Sequence, residues 1–390
     1  ILRNLYGVDI MAEATEIAKL RLFLKMVAVV DVQPLADNLG LDPLPDIDFN
    51  IRCGNTLVGY ANAESIVKDH NGDMFAIHDF EENVAAEMDK VARTFKLFKH
   101  LQLTQESEHH KEFIAAKHQL RDLLTSLNDT LNHHLHNAIA SGIPYEEWLN
   151  SHQPFNWVAE FYDIIHGNGG FDVIIGNPPY VEYSKVRNEY QVTGIKCIDS
   201  GNLYAYVIER TLSFSHRGTR NGMIIQMSAF CTPRMASFQK MYFENAKFSS
   251  IAFFDDRPGK LFENLQHIRV VIPIIEVGMP TSLTATTGYA KFYSHCRNIL
   301  FQNISYHLSQ SSRKAFSVLK IRTAIENSIA EKVWNMSKTI QYFESSSRNN
   351  NYVYYGYGYG YFGKILNKKS YFWGENVKES TGDKYYFIND

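Results

Sequence analysis

Asn177, Pro178, Pro179 and Tyr180 form a tetrapeptide whose residue types can bind a planar amine. The side-chain oxygen of Asn177 and a neighbouring backbone carbonyl can each accept one hydrogen of an –NH2 group. The ring of Tyr180 can stack on the flat system that carries the amine. The loop therefore suits an amino-substituted ring or an amide. An ordinary Pro-Pro turn, with Tyr180 packed on the surface, is the competing interpretation of so short a motif.

The residues before this tetrapeptide predict the strand that carries it. Asp172 to Ile175 is a β-branched run of the kind that lies buried on both faces in a parallel sheet. The prolines must end the strand, because proline has no N–H for the ladder and biases the preceding residue away from the helical region. We expect residues 177–180 to form a rigid loop at the carboxyl end of this strand, where ligands bind in open α/β sheets.

Two other polar residues are predicted to follow short strands. Residues 4–10 indicate a strand with the acid Asp9 near its end, followed by a helix from Ala12 to Lys25. A carboxylate in this position can accept from both hydroxyls of a ribose, or it can cap the helix. Asn55 lies in a glycine-bounded turn after another short strand, where an ordinary turn residue is the alternative.

Taken in order, these segments resemble S-adenosylmethionine-dependent amino-methyltransferases, which act on adenine in DNA or RNA or on a glutamine side chain. The resemblance covers about residues 1–280 and is best to type IIG restriction-modification enzymes, which combine an adenine-specific DNA methylase with a nuclease. It implies S-adenosylmethionine as the cofactor, with Asp9, Ile10 and Asn55 as cofactor-binding residues. Many relatives have Asp at the position of Asn55, whose amide oxygen can still accept from an amino group.

The same resemblance makes residues 177–180 the catalytic loop. The asparagine side chain and the first proline carbonyl would accept from the exocyclic amine of an adenine flipped out of double-stranded DNA, and the tyrosine would stack on the base. Phe262, in the segment from Asp255 to Glu263, is the candidate for a second aromatic wall, and a core phenylalanine is its ordinary interpretation. An RNA or glutamine substrate and an inactive DNA-binding remnant remain the alternatives.

The resemblance also predicts a Rossmann-like α/β methyltransferase sheet. We place its two parts at residues 1–63 and 166–300, a helical insertion at 64–165, and the start of a target-recognition region at 301–390. The first strand and its glycine-rich turn, which meet the methionine end of the cofactor in such enzymes, would precede Ile1. We therefore expect an internal piece of a longer protein, incomplete at its N-terminus and unable to bind cofactor normally by itself. A nuclease domain is possible elsewhere in that protein.

Residues 64–165 predict an antiparallel pair of helices joined between Thr104 and His110. His133, His134 and His136 fall on the second helix, and a solvated helix face is favoured over a metal site because no carboxylate or cysteine has suitable spacing. The two apolar stripes consist of Val84, Met88, Val91, Phe95, Phe98 and Leu101, and of Phe113, Ala116, Leu120, Leu123, Leu127 and Leu131.

Composition indicates a cytoplasmic protein that is not embedded in a membrane. No apolar run reaches the roughly 20 residues that a membrane span needs. The 4 cysteines lie far apart without metal-ligand spacing, which favours free thiols in a reducing compartment over disulfides or zinc. These cysteines are Cys53, Cys197, Cys231 and Cys296.

Charge is unevenly distributed along the chain. The net charge is −3, but residues 301–390 contain 12 Lys and Arg against 7 Asp and Glu. The same region contains tyrosines among glycines at residues 352–361. Aromatic side chains with scattered cations suit a nucleic-acid surface. A tyrosine-rich antiparallel strand or a flexible low-complexity loop are the alternatives.

Overall fold

The computed structural model of the chain contains two compact units, residues 1–324 and 325–390. The residues that the structure describes are 2–31, 45–68, 74–104, 110–139, 142–262, 268–310, 312–314, 317–338, 342, 344–345, 352–356, 365–366, 371–372, 378–379 and 383–387.

Strands and helices are interspersed along the chain. The strands are β1 (Gly7–Asp9), β2 (Ile51–Cys53), β3 (Phe171–Gly176), β4 (Ser215–Met223), β5 (Ile225–Gln226), β6 (Ala246–Phe254), β7 (Val270–Val277), β8 (Thr284–Ala290), β9 (His307–Ser309), β10 (Arg313–Lys314), β11 (Ser317–Val318), β12 (Tyr352–Gly356), β13 (Ile365–Leu366), β14 (Tyr371–Phe372), β15 (Lys378–Glu379) and β16 (Asp383–Phe387). The α-helices are α1 (Ala12–Val27), α2 (Ala63–Lys68), α3 (Met74–Thr104), α4 (His110–Ile139), α5 (Tyr145–His152), α6 (Trp157–Glu160), α7 (Tyr183–Val186), α8 (Leu203–Leu212), α9 (Ala236–Glu244) and α10 (Ala324–Trp334).

The main sheet has seven strands in the order β3-β4-β7-β6-β8-β9, with β5 paired to β7. β3 is parallel to β4, and β6 is parallel to β8. The remaining neighbours in this sheet are antiparallel. β1 and β2 form a separate parallel pair. The main sheet is therefore mixed, and each of the three strands that precede predicted site residues, β1, β2 and β3, is paired in parallel.

The sequence beyond the 177–180 loop also predicts a helix that opens at residues 201–204 and runs through Leu212, a strand at residues 222–227 and a strand from Val270 to Val277. The structure follows these predictions closely. The helix predicted to begin near Gly201 and end at Leu212 is α8, and the strand predicted at Val270–Val277 is β7 with the same bounds. α1 extends two residues beyond the predicted Lys25. Residues 222–227, predicted as one strand, are divided between β4 and β5. Apolar periodicity thus identified the elements, while their ends depended on turns.

The prediction that β3 is buried on both faces was wrong. Val173 is 63% exposed and Ile175 is 82% exposed. β3 pairs with β4 along one edge, and in the described part of the chain no strand pairs with its other edge. Val173 and Ile175 share one face of the strand. A β-branched run indicates a strand, but it does not specify its neighbours or what packs on each of its faces, so the sequence could not predict this exposure.

α3 and α4 form the predicted helical hairpin. Leu120, Leu127 and Leu131 of its second stripe are fully buried. Phe98 near the end of α3 stacks on Phe113 near the start of α4, with ring centroids 5.2 Å apart, as an antiparallel pair requires. The predicted loop falls mostly on residues 105–109, which lie outside the described residues.

Two of the three neighbouring histidines of α4 are not on a solvated face, contrary to the prediction. The Nδ1 atom of His134 lies 2.5 Å from the hydroxyl of Tyr60, and Nε2 of His136 lies 2.7 Å from a backbone carbonyl. His133 is exposed and stacks on Tyr145 at 3.7 Å. Within the described ranges, no group of three or more His, Cys, Asp or Glu side chains could hold a metal ion. None of the described helices is both long and apolar enough to cross a membrane.

The boundary predicted at residue 300 lies inside the first unit. β9 pairs with β8 of the main sheet, so the chain continues in this unit to residue 324. In the second unit, β12 pairs antiparallel with both β13 and β16. Residues 352–356 are therefore a tyrosine-rich antiparallel strand, which was one of the alternatives for this region. The tyrosines at 357, 359 and 361 lie outside the described residues.

Gly170, immediately before β3, has a conformation that a side chain would disrupt. Its φ is +134°, and a Cβ atom would lie 2.4 Å from the backbone oxygen of Phe214. We expect Gly170→Ala to lower the free energy of unfolding by more than about 2 kcal/mol, because backbone strain and a steric clash add together. Gly169→Ala is the matched control, since φ is +76° but the nearest atom would be 3.8 Å away. Equal losses in chemical denaturation would contradict the steric argument.

Candidate functional site

A cleft of about 690 Å³ lies in the first unit, lined by β1 and β3 and by the residues that follow β1, β2 and β3. Most of its lining is apolar, including Tyr6, Trp157 and Phe171. Six of the eight predicted site residues line this cleft, namely Asp9, Ile10, Asn55, Asn177, Pro178 and Pro179. The other two, Tyr180 and Phe262, are not among its lining residues.

The catalytic-loop candidate lies directly after β3, as predicted. Gly176 is the last residue of the strand, and its carbonyl accepts from the backbone N–H of Ile224, at 3.0 Å. Asn177 and Pro179 are exposed, whereas Pro178 is buried. The prolines fix two successive φ angles near −65°, which limits the conformations that the loop can adopt. The loop therefore presents the Asn177 amide from a restrained backbone.

Tyr180 is half-buried and fixed at its hydroxyl. This oxygen lies 3.1 Å from Oδ1 of Asn177 and 3.0 Å from the backbone oxygen of Ile224. The ring contacts Tyr204 edge-on at 6.4 Å. Burial raises the pKa of Tyr180 to about 12, so the phenol keeps its proton at neutral pH. The predicted stacking residue is thus held close to the predicted acceptor residue.

Asp9 is exposed at the end of β1, and one carboxylate oxygen accepts from the backbone N–H of Met11 at 2.8 Å. Met11 is the N-cap residue of α1. Asp9 therefore bonds the backbone of the N-cap residue without being the N-cap itself, so the capping interpretation holds only in part. The backbone oxygen of Asp9 accepts from Gly54 at 2.9 Å, which fixes the end of β1 beside the end of β2. This contact places Asp9 and the turn that contains Asn55 at one side of the cleft.

Asn55 is buried, and its side chain already takes part in its own turn. Oδ1 accepts from the N–H of Leu57 at 3.1 Å, while Nδ2 has no hydrogen-bond partner among the described residues. A reversed amide would place the N–H of Leu57 against another donor, so this orientation is the favoured one. The sequence interpretation assigned the amide oxygen to a ligand, but the group left without a partner is the donor.

Arg210 fixes the turn after Asn55, and sequence reasoning did not identify it. Its guanidinium donates to the backbone oxygens of Leu57 at 2.9 Å and Gly59 at 3.3 Å. Arg210 is buried on α8, so the helix that follows the catalytic loop also supports the opposite side of the cleft. The sequence around Arg210 gives no signal of this role, because its partners lie about 150 residues away.

Asn156 is a second buried residue that the sequence did not reveal. Its Oδ1 accepts from the N–H of Tyr60 at 3.0 Å, and its Nδ2 donates to the amide oxygens of Asn128 at 3.0 Å and Asn132 at 2.9 Å. These contacts join helix α4 of the insertion to the segment that follows Asn55. The insertion therefore packs directly on one wall of the candidate site.

Phe262 lies at an edge of the described chain, next to residues 263–267, which fall outside it. The side chain is 36% exposed. The start of its segment is held by side-chain contacts, since the buried Asp255 accepts from the Tyr289 hydroxyl at 2.9 Å and from Arg269 at 3.2 Å. The second aromatic wall remains a prediction.

The side chains at the cleft fit the nucleoside half of S-adenosylmethionine. The exposed Asp9 carboxylate is an acceptor suited to ribose hydroxyls. The buried Nδ2 of Asn55 is a donor without a partner in the described chain, and adenine offers ring nitrogens as acceptors. A buried donor without a hydrogen-bond partner destabilises the folded state by about 1–3 kcal/mol. A ligand atom that accepts from Nδ2 of Asn55 would remove this cost.

A family comparison covers most of the first unit. The model of the Eco57I restriction-modification methylases matches residues 3–262. A protein of Methanocaldococcus jannaschii named as a type II restriction enzyme and methyltransferase is 31% identical over 217 residues. The match covers 46% of this chain and 18% of that protein. The chain therefore spans less than a fifth of the length of this relative.

Solved structures of restriction-modification proteins overlap the chain in part. One, from Vibrio vulnificus and described as the modification subunit of a type I restriction enzyme, has a TM-score of 0.27 and 13% identity over 47% of this chain and 44% of that chain. The DrdV–DNA complex has a TM-score of 0.33 and 13% identity, covering 48% and 23%. A nuclease-deletion mutant of the type ISP enzyme LlaGI, with a DNA substrate mimic, has a TM-score of 0.35 and 12% identity, covering 58% and 25%.

TM-scores of this size indicate limited structural overlap. The assignment of the chain to a family therefore rests on the match to the family model. It extends from before β1 to beyond β6 and includes every predicted site residue. The resemblance to a restriction-modification methylase and the expectation of an α/β methyltransferase fold are both confirmed. With two thirds of its residues matched by the family model, the chain belongs to the Eco57I restriction-modification methylase family.

Proposed function

We propose that this chain is the methyl-transferring part of a restriction-modification enzyme, and that it modifies the exocyclic N6 amine of adenine in double-stranded DNA. The observation that carries the proposal is the position of the loop directly after β3, with residues 177–179 on the cleft that Asp9 and Asn55 also line. An acceptor for an amine therefore faces the same cavity as groups suited to a nucleoside.

Three residues would hold the cofactor. The carboxylate of Asp9 would accept from the ribose hydroxyls, with Ile10 beside it in the lining, and Nδ2 of Asn55 would donate to an adenine ring nitrogen. When bound, S-adenosylmethionine supplies a methyl group on a sulfonium, which an amine nitrogen can take in line. Arg210 keeps the Asn55 turn in place through its two backbone acceptors.

The substrate side is built from the loop after β3. Oδ1 of Asn177 and the carbonyl of Pro178 would each accept one hydrogen of the adenine amine and so orient its lone pair. Tyr180 would stack on the base, which must leave the duplex because its amine is otherwise held in a base pair. The Tyr180 phenol stays protonated at neutral pH, since burial raises its pKa to about 12, so it is not a base here.

Positioning would supply most of the rate acceleration. Fixing the amine against the electrophile removes the entropy cost of a bimolecular encounter, which is worth about 7–11 kcal/mol in well-oriented systems. No strong general base is needed at the start, because the amine proton can leave after the nitrogen–carbon bond has formed. The restrained backbone of Pro178 and Pro179 suits this task.

The direct test is transfer of isotopically labelled methyl from S-adenosylmethionine to duplex DNA, RNA and protein, using the full-length natural protein. We expect label in N6-methyladenine of DNA from the full polypeptide. Label confined to RNA or to glutamine would transfer the assignment to those substrates. Cofactor binding without any labelled product would support the inactive DNA-binding alternative.

A further inference from the structure

We infer that the hydroxyl of Tyr180 is a positioning group that turns the Asn177 amide so that Oδ1 faces the target amine. This inference rests on the proposed function of residues 177–180. The inferred role belongs to the hydroxyl of Tyr180, whereas the stacking role under the proposed function belongs to its ring. The evidence is the arrangement of the two polar groups next to this hydroxyl.

The Tyr180 hydroxyl has two oxygen neighbours but only one proton. Its oxygen lies 3.1 Å from Oδ1 of Asn177 and 3.0 Å from the backbone oxygen of Ile224. A phenol can donate one hydrogen bond, and burial keeps this phenol protonated. The carbonyl of Ile224 can only accept. The two contacts can therefore be satisfied together only if the Asn177 amide offers a donor.

Rotating the Asn177 amide by 180° provides that donor. Oxygen and nitrogen of a side-chain amide have nearly the same shape, so the rotation leaves the packing unchanged. Nδ2 then donates to the Tyr180 oxygen, the Tyr180 hydroxyl donates to Ile224, and Oδ1 of Asn177 turns away from both. This chain of two hydrogen bonds leaves Oδ1 available as an acceptor.

The opposite orientation would oppose the reaction. If Tyr180 donated to Oδ1 of Asn177, the Ile224 carbonyl would lose this donor, and Nδ2 would be the group presented to the substrate. Two donors, the adenine amine and the Asn177 amide, would then face each other. The orientation that satisfies the Tyr180 hydroxyl is thus also the one that accepts from an amine.

The chain of hydrogen bonds is anchored on the backbone at both ends. The N–H of Ile224 donates to the carbonyl of Gly176, which directly precedes Asn177, while the Ile224 carbonyl faces Tyr180. A closed ring of contacts therefore runs from the end of β3 through Ile224 and Tyr180 back to the Asn177 side chain. Such a ring fixes the amide relative to the strand rather than relative to a mobile side chain.

Tyr180→Phe separates the two roles of Tyr180, because it keeps the ring and removes the hydroxyl. In the full natural polypeptide, we expect single-turnover methyl transfer to fall by about 10- to 100-fold, as small misplacement of a reacting group does. Base flipping, followed by 2-aminopurine fluorescence at the target position, should change less than about twofold because stacking is retained. Tyr204→Phe is the matched control, since it removes a neighbouring buried hydroxyl that bonds Ser228 rather than Asn177.

Two further comparisons identify the residue through which the hydroxyl acts. If Tyr180 works through Asn177, the double variant Tyr180→Phe, Asn177→Ala should be no slower than Asn177→Ala alone. Independent, multiplied losses would overturn the inference. So would a Tyr180→Phe rate equal to that of Tyr204→Phe.

A measurement that does not depend on catalytic activity can test the inference even if no methyl transfer is found. The side-chain NH2 resonances of ¹⁵N-labelled asparagine can be assigned to Asn177 by their loss in Asn177→Ala. We expect Tyr180→Phe, but not Tyr204→Phe, to shift these resonances, because only the former removes the acceptor of Nδ2. Unshifted resonances would contradict the inference, whereas a shift together with an inactive parent protein would contradict only the proposed function.

Discussion

Replacing Asn177 by alanine is expected to lower the single-turnover rate of methyl transfer by about 10²- to 10³-fold, the loss that follows removal of one preorganised hydrogen-bonding group from a reaction centre. The variant loses the side-chain acceptor that orients the amine, while the Pro178 carbonyl and the Tyr180 ring remain. Cofactor affinity should change little, because Asp9 and Asn55 are unaltered. Rapid-quench transfer of labelled methyl, with calorimetry for the cofactor, measures both quantities.

Asn188→Ala provides the control for this experiment. Asn188 is exposed and lies shortly after α7, in the same region of the chain but outside the loop. We expect its transfer rate to remain within about twofold of the wild type, as for surface substitutions away from special features. If Asn177→Ala and Asn188→Ala transferred methyl equally fast, the acceptor role of Asn177 would be wrong.

The sequence predicted the location of the candidate site because the relevant signals are local. Prolines end β3 whatever lies around them, so residues 177–180 had to form a loop at its carboxyl end. The strand that contains Asp9 and the turn that contains Asn55 were equally visible in short windows. Their grouping on one cleft was expected because ligands bind at the carboxyl ends of strands in α/β sheets.

The exposure of β3 and the supporting contacts could not be predicted in this way. Burial of Val173 and Ile175 depends on what covers the face of β3 that they share, which no local pattern specifies, and both side chains line the cleft. Arg210 acts on backbone oxygens about 150 residues away, and its sequence context is simply a helix. The first unit extends to residue 324 because β9 joins β8, a pairing between distant segments.

Asn55 shows how a residue at a predicted position can differ from the prediction in its hydrogen bonding. Sequence reasoning identified the residue and assigned its oxygen as the acceptor for a ligand. In the folded chain that oxygen accepts from Leu57, and Nδ2 is the atom that has no partner in the described chain. Which end of an amide faces a ligand depends on the turn that surrounds it. Here the backbone N–H of Leu57 binds Oδ1, which leaves Nδ2 for a ligand.

Asn156→Asp should be strongly destabilising although it changes only an amide into a carboxyl group. Nδ2 of Asn156 donates to the amide oxygens of Asn128 and Asn132, and a carboxylate would place negative charge against both. Asn128 cannot reverse its amide without losing its own bonds to Leu124 and Glu160. We expect the free energy of unfolding to fall by about 3–5 kcal/mol at pH 7, the range for an uncompensated buried charge.

The pH dependence of this loss distinguishes charge from shape. In the folded variant, burial and the facing oxygens would raise the pKa of residue 156 above its unfolded value of about 3.9. The folded state then binds more protons than the unfolded state between the two pKa values, so the stability difference from the wild type should shrink as pH falls through the raised pKa. Denaturant unfolding of both proteins at pH 7 and pH 5 measures this difference.

Asn303→Asp is the matched control for Asn156→Asp, because Asn303 is exposed and its side-chain amide donates to the nearby carbonyl of Ile299. Asn303→Asp should lower the free energy of unfolding by less than about 0.5 kcal/mol at either pH. A pH-independent loss in Asn156→Asp would mean that packing, not charge, dominates at this position. Because Asn156 also accepts from Tyr60, next to the Asn55 turn, the variant should weaken cofactor binding as well, which would make the helical insertion a support of the cofactor side of the site.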